Sequence, residues 1–427
     1  MKKAIAIVSM VLLAVALCST VCISVFMQRG RWENAEDRSV FKPGIDFSMR
    51  MNEADCLADG VDPYDVWNRD VIKAPYYPLR GDELKDAAHY APINVYTPWE
   101  YPLMMPLLLL PRQIAWGLFY LTMLGCIVLL GCFAFGKGMM QIGDAWSGLI
   151  VAAMPLLIVT HPLFTNLSVG NWTVHIALAV VGMIYFLNRG HDVLAGICWS
   201  FAMIKPQLAL LLAIPLLWRR KWVACVTAGV ICAAASIPAC ILSGKTPVTL
   251  VIEVLAGGSG EFYGCGIMPY PLFRLMPMGL ASVVCLVIGI AVCIFMTYCL
   301  RKCADWLYFL MPATVCAVCW TYAQQYSYVF NWFILVVFLI ELLRHPESRF
   351  VWLATPILFL MGSRSYRCLY GLATVYNVKT LAFFRHSEEL RRMIDSFNSS
   401  LTLVVAIAFC IWIARQDSKK REVQHGK

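Results

Sequence analysis

Apolar positions along this chain gather into long, nearly unbroken runs, not the two-faced or alternating patterns of a soluble fold. After Lys2 and Lys3 an uncharged run covers 4–27. Further runs occupy 114–134, 145–160, 173–187, 222–242, 279–300, 306–321, 328–340, 350–361 and 401–414. Several match the roughly 20 apolar residues a helix needs to cross a hydrocarbon layer about 30 Å thick. Between 193 and 218 two short runs are divided by Lys205-Pro206. Proline removes a backbone donor and disfavours helix at the residue before it, so this stretch predicts two short helices with a break. The pattern as a whole predicts an all-α polytopic membrane protein with about twelve transmembrane helices.

The first run has a rival reading as a cleaved signal peptide, whose apolar core spans only about 7–15 residues. The run here is longer, and its one A-x-A match, Ala14-Val15-Ala16, sits in the middle. A retained first helix with a cytoplasmic amino terminus is therefore expected. Alternating the spans from there sends Lys137, Arg189, Arg219-Arg220-Lys221, Arg301-Lys302, Arg344 with Arg349, and the Lys419-Lys420-Arg421 tail to the cytoplasm. That agrees with the positive-inside bias and puts both termini inside. The segment 362–400 fits less well. It should be outside, yet it carries Arg364, Arg367, Lys379, Arg385, Arg391 and Arg392. Residues 369–384 read either as an extra span or as a helix in the interface.

Composition sharpens the class. Of 427 residues 60% are hydrophobic and 14% charged, against roughly a quarter charged in a soluble domain. The net charge of +9 comes from short clusters between spans, so it points to membrane orientation and not to nucleic acid. Most of the 18 cysteines lie inside apolar runs, where cysteine behaves as a small hydrophobe. Cys56, Cys265 and Cys368 are assigned to outer loops, where a bridge among them is open. The one CxxC pair, Cys316 and Cys319, has no second pair, and no resident metal is expected.

The longest polar stretch, 28–100, holds nine basic and fourteen acidic residues. It reads as a structured outer loop. Asp46 is placed to cap a helix running to about Ala58, with Phe47, Met51, Ala54 and Ala58 on one face. Glu53 and Asp55 read as solvated, and Asp62 and Asp65 beside Tyr64 as turn formers. The block Tyr96-Thr97-Pro98-Trp99-Glu100-Tyr101-Pro102 puts aromatics and prolines at the water–lipid boundary. Residues 103–110 follow as a short interfacial or re-entrant helix.

The apolar runs contain no Asp, Glu, Lys or Arg and one histidine, His175. Carriers of ions or charged substrates usually keep ionisable groups at that depth, so chemistry is expected at the outer surface. Asp46 is the carboxylate best placed to take a proton from an acceptor hydroxyl, with a helix cap as the plain alternative. Lys205, at the break, reads as a point charge for a phosphate or as a snorkelling lysine. Trp99, Tyr101 and Trp172 are either interfacial anchors or stacking surfaces for sugar rings. Gly170-Asn171-Trp172-Thr173 places an amide and an indole at the outer mouth of a span. The glycine-rich loop in 243–278 predicts a mobile cover, since the strand–helix setting of a phosphate loop is missing. Trp320-Thr321-Tyr322-Ala323-Gln324-Gln325-Tyr326 forms a further polar outer turn. No Walker-type loop or HExxH sequence is present.

Several of these segments resemble, in matching order, the polyprenyl-phosphate-dependent glycosyltransferases of the GT-C fold, and among them glycosyltransferase family 87, the alpha-1,2-mannosyltransferase-like group. Asp46-Phe47 followed by Gly60-Val61-Asp62-Pro63-Tyr64 is similar to the family's acidic first loop. Val95-Tyr96-Thr97-Pro98 through Pro111 resembles its Y-x-P block. Ile204-Lys205-Pro206-Gln207, ending in Trp218-Arg219-Arg220-Lys221-Trp222, resembles its K-P-Q helix pair. The likeness spans about Asp46 to Leu343. Two departures stand out: Gly170-Asn171-Trp172-Thr173 replaces G-Q-x-N, and Gln324-Gln325-Tyr326 replaces a turn that often holds histidine.

The resemblance implies a GT-C-like bundle in a bacterial plasma membrane and an active site on its outer face. It implies transfer of a hexose, often mannose, from a polyprenyl-phosphate sugar to a glycolipid or glycan hydroxyl, with no obligatory metal. Asp46 would be the base. Lys205 and Gln207 would lie near the donor phosphate, with Tyr64, Trp99, Tyr101, Asn171, Trp172, Gln325 and Tyr326 around the substrates. A non-catalytic carrier of lipid-linked saccharide and a subunit of an envelope-assembly complex are the alternatives. The expected division is a first helix (1–27), an outer-face loop (28–111), a core (112–343), a carboxyl-terminal membrane region (344–415) and a cytoplasmic tail (416–427).

Overall fold

A computed structural model of the chain describes residues 2–33, 44–60, 97–252, 278–318, 325–362 and 388–425. These are helical, with no strand among them. In a bilayer only intrasegment hydrogen bonding satisfies the backbone of an isolated span, which is why such apolar runs become helices. The elements are α1 (Lys2–Glu33), α2 (Ile45–Ala58), α3 (Arg112–Met139), α4 (Ala145–Ala153), α5 (His161–Val169), α6 (Thr173–Asn188), α7 (Asp192–Ala202) and α8 (Pro206–Trp218). They continue as α9 (Trp222–Ser243), α10 (Met278–Cys299), α11 (Trp306–Val318), α12 (Trp332–Arg344), α13 (Arg349–Ile357) and α14 (Glu388–His425).

Among the described residues, six helical stretches are long and apolar enough to cross a membrane, beside six shorter apolar helices. The chain is thus a polytopic membrane protein. α11 and most of α12 are enclosed on all sides. α1, α9 and α10 turn Val11, Val15, Val226, Val230, Val283 and Val287 outward, the apolar face that lipid requires. α1 lies against α4 and α5, α3 against α6, and α7 between α6 and α9.

The run 145–160 is not one helix, as its hydropathy predicts, but α4 and a 3-10 turn at Met154–Ile158, followed by α5. Pro155 enters where the helix changes, and a ring without an N–H stops the α-helical ladder there. Between α2 and α3, Pro98–Glu100, Tyr101–Met104 and Met105–Leu109 form successive short helical turns, each led by proline at its first or second position. The break at Lys205 is present as predicted. α7 ends at Ala202 and α8 begins at Pro206, while the Trp199 indole donates to the Ala209 carbonyl across the gap at 3.0 Å.

Basic loop residues meet at one end of the bundle. Lys137 Nζ donates to Asp305 at 2.6 Å, Asn188 Nδ2 donates to the same carboxylate at 2.9 Å, and Arg344 Nε donates to Gln141 at 3.0 Å. α6 links this end to the other, since Asn188 closes the helix that Thr173 opens. Its sixteen residues span roughly 24 Å at 1.5 Å per residue. Cys56 is a buried free thiol. Cys265, Cys368 and the stretch 369–384 lie outside the described residues.

Candidate active site

At the end of the bundle away from the basic loops, two helix pairs and α2 bring their connecting turns together. α5 ends at Gly170, in the left-handed region at φ 73°, where a residue without Cβ is unstrained. A Cβ there would also lie 2.5 Å from the Trp116 ring and 2.8 Å from Phe47 Cβ. Gly44 precedes α2 as its N-cap, and a Cβ on it would lie 2.5 Å from the Val169 carbonyl carbon. The two glycines let the start of α2 press directly on the end of α5.

This placement corrects the expected cap. Asp46 stands inside the first turn of α2 and makes no capping bond. Its carboxylate, half-buried, instead accepts from Asn171 Nδ2 at 2.5 Å. On its other side the Asn171 amide oxygen accepts from Lys205 Nζ at 2.7 Å, from Thr173 Oγ1 at 2.7 Å and from the Thr173 N–H at 3.0 Å. Donors on one side and a carboxylate on the other leave the amide a single orientation. One asparagine therefore joins a carboxylate from α2 to an ammonium from the α7–α8 break.

Lys205 is 2% exposed. Its ammonium also donates to Thr173 Oγ1 at 3.3 Å and sits 4.3 Å from the centre of the Tyr326 ring. The Tyr326 carbonyl accepts from Asn166 Nδ2 at 3.1 Å, which fixes the start of the 3-10 stretch Gln325–Asn331 against α5. Gln207 is half-buried in the first turn of α8.

Behind Asp46 the helix is unexpectedly charged within. Glu53 is buried and not solvated, and Arg50 beside it is buried too, with Arg50 Nη1 2.7 Å from Glu53 Oε2. Burial drives the Glu53 carboxyl up to about 8. Arg50 opposes the shift without overcoming it, and Glu100 and Asp46 add to it. Glu100, buried as well, is pushed by the same desolvation to about 7 against the pull of Arg50, the Trp172 hydrogen bond and Lys205. Asp55 is half-buried and pairs with Arg112 at the head of α3, which also donates to Asn52 at 2.5 Å. The apolar face of α2 takes in Phe47, Met51, Ala54 and Leu57, whereas Ala58 is exposed.

The expected substrate residues divide. Asn171 and Tyr326 join the Asp46–Lys205 array. Trp99 is half-buried at the Pro98–Glu100 turn, and its indole N–H has no partner among the described residues. Tyr101 is buried. Trp172 is an interior side chain and not an interfacial one, packed edge-on by Phe119 and Phe201 at 4.9 and 5.7 Å, and its N–H goes to Glu100 Oε1 at 2.5 Å. Tyr64 and the Gln325 side chain lie outside the described residues. Among the described residues no three His, Cys, Asp or Glu side chains are placed to hold a metal. Sequence reasoning missed Arg50, Glu53, Glu100 and Thr173. Asp46, Arg50 and Glu53 do recur at i, i+4 and i+7, the spacing that would have put all three on one helical face.

A family model described as glycosyltransferase family 87 matches residues 94–321, more than half of the chain. The chain belongs to glycosyltransferase family 87. The family segment holds Thr97, Glu100, Asn171, Thr173 and Lys205. It begins after Asp46 and ends before Tyr326, so it is shorter than the span over which the sequence motifs suggest likeness. No curated protein and no solved structure matches this family 87 chain.

Proposed function

We propose that this family 87 glycosyltransferase moves a hexose, mannose by preference, from a polyprenyl-phosphate sugar to a hydroxyl of a glycolipid or glycan. The observation that carries the reading is the Asp46–Asn171–Lys205 array, a base and a cation joined through one amide at a membrane-embedded bundle's end. Asp46 takes the proton of the acceptor hydroxyl while that oxygen bonds to the sugar's anomeric carbon. The bond from that carbon to the phosphate oxygen breaks, and the polyprenyl phosphate leaves with the electron pair.

Lys205 supplies positive charge where the leaving phosphate gains negative charge, in surroundings of low dielectric where the effect is large. Direct contact requires the Tyr326 ring to swing from above the ammonium. Gln207, two residues after Lys205, and Trp99, in the Pro98–Glu100 turn, are proposed as neutral donors to the substrates. The reaction is assigned to the outer face of the plasma membrane, because the opposite end gathers the basic residues that the positive-inside bias retains in the cytoplasm. Both termini then lie in the cytoplasm. The partners in this reading are membrane lipid, the donor and the acceptor, with no obligatory metal.

The test is transfer of labelled mannose from polyprenyl-phosphate mannose by the purified full chain in lipid nanodiscs. A glycosidic product is expected, with Asp46→Asn lowering the rate by about 10²–10⁴ fold. Full activity in Asp46→Asn removes Asp46 from the chemistry. Movement of the donor lipid across vesicles without product would replace the enzyme by a carrier.

A further inference from the structure

Asn171 and Lys205 sit on separate turns, one between α5 and α6 and the other between α7 and α8. The array works only if those turns stay in register, and one short segment touches both. Thr97 Oγ1 donates to the Ile204 carbonyl at 3.3 Å, one residue before Lys205. Glu100 Oε1 accepts from the Trp172 indole at 2.5 Å, one residue after Asn171. Thr97, Ile204, Glu100 and Trp172 are all buried.

The spacing of the two anchors is fixed locally. The Glu100 N–H donates to the Thr97 carbonyl at 3.0 Å, and Pro98 opens the 3-10 turn between them. Proline sets φ in advance, so little freedom is left to lose. The turn is braced from behind by α9. A buried carboxyl is an expensive way to fill space, and an apolar side chain of like size would serve packing better. What Glu100 adds is an acceptor for an indole N–H that would otherwise be buried unsatisfied.

We propose that the Pro98–Glu100 turn is a two-point clamp, with Thr97 and Glu100 as positioning residues that hold the Lys205 and Asn171 turns in register for sugar transfer. The inference rests on the transferase reading above and names parts that reading does not use. Glu100 acts on the base through Trp172 and Asn171, so its loss should act on kcat. Thr97 acts on the Lys205 turn, so its loss should act on the donor KM.

Two measurements test it on the full chain in nanodiscs. In transfer kinetics, Glu100→Leu should lower kcat by about 10–100 fold, the cost of misplacing a catalytic group by a fraction of an ångström to one ångström. Glu100→Gln, whose amide oxygen accepts the same indole N–H, should restore kcat to within about threefold of wild type. Thr97→Val should raise the donor KM by about threefold with kcat held. In hydrogen exchange, which needs no activity, Glu100→Leu should speed exchange at 170–173 and Thr97→Val at 203–206, with Glu100→Gln silent. Unchanged exchange in both variants overturns the clamp, as does Glu100→Gln as impaired as Glu100→Leu. Absence of transfer by the wild type, with the exchange pattern as expected, overturns the transferase reading and leaves the clamp standing.

Discussion

Replacing Asn171 by leucine removes the one side chain that touches both ends of the charged array while keeping its volume. Two hydrogen bonds to charged groups are lost, from Asn171 Nδ2 to Asp46 at 2.5 Å and from Lys205 Nζ to Asn171 Oδ1 at 2.7 Å. Such bonds contribute about 1.5–3 kcal/mol each. Together they amount to roughly 3–6 kcal/mol, or about 10²–10⁴ fold in rate at 1.36 kcal/mol per tenfold. Thr173 Oγ1 remains within reach of Lys205, so the lower half of that range is expected, about 10²–10³ in kcat. Initial rates of mannose transfer in nanodiscs measure it, with thermal unfolding as the control for folding. Asn171→Asp separates position from charge. It keeps an acceptor for Lys205 but sets a second carboxylate against Asp46, and like charges that close drive one pKa upward. The acid limb of its pH–rate profile should move to higher pH. A leucine variant within threefold of wild type, or an aspartate variant with an unshifted profile, refutes the reasoning.

Two further outcomes follow from the same turns. Gly170→Ala meets a left-handed backbone costing about 1–2 kcal/mol and a Cβ 2.5 Å from Trp116, worth about 1–3 kcal/mol more; a clear fall in Tm with loss of transfer is expected, and an unchanged Tm contradicts the packing described. Burial lets Glu53 hold its proton up to about 8 in the folded chain, against 4.5 for the same carboxyl free in water. The folded state then binds more protons between those values, so stability is greatest at the acid side and declines as pH rises towards 8. Glu53→Gln removes that decline, so the fall in Tm between about pH 5.5 and about pH 8.5 should be smaller in the variant.

Membrane class, the break at Lys205 and the helix after Asp46 were legible because each is written locally. Runs of lipid-compatible residues, a proline after a lysine and a helical period need no tertiary knowledge. Residues of the array could be nominated singly for the same reason. Their connection could not, because Asp46 and Asn171 are 125 positions apart and nothing in either neighbourhood specifies the other. Glu53 and Glu100 were misjudged or overlooked because a lone carboxyl in a polar loop reads as solvated. Only the folded chain shows Arg50 and Trp172 inside with them. Trp172 sits beside a polar turn and reads as interfacial, yet Phe119 and Phe201 close around it. The subdivision of 145–160 escaped because hydropathy measures burial in lipid and is blind to whether the ladder inside is continuous.

The backbone contact between the start of α2 and the end of α5 decides what can move during turnover. With Gly44 against the Val169 carbonyl and Phe47 wedged at 5.3 and 5.1 Å from the Trp116 and Phe119 rings, α2 is seated as part of the wall. A lid needs a loosely packed hinge and a surface that tolerates rehydration, and this contact offers neither. In the proposed transfer, any movement that admits a donor and releases its carrier would fall to segments other than α2, with Asp46 held by this contact.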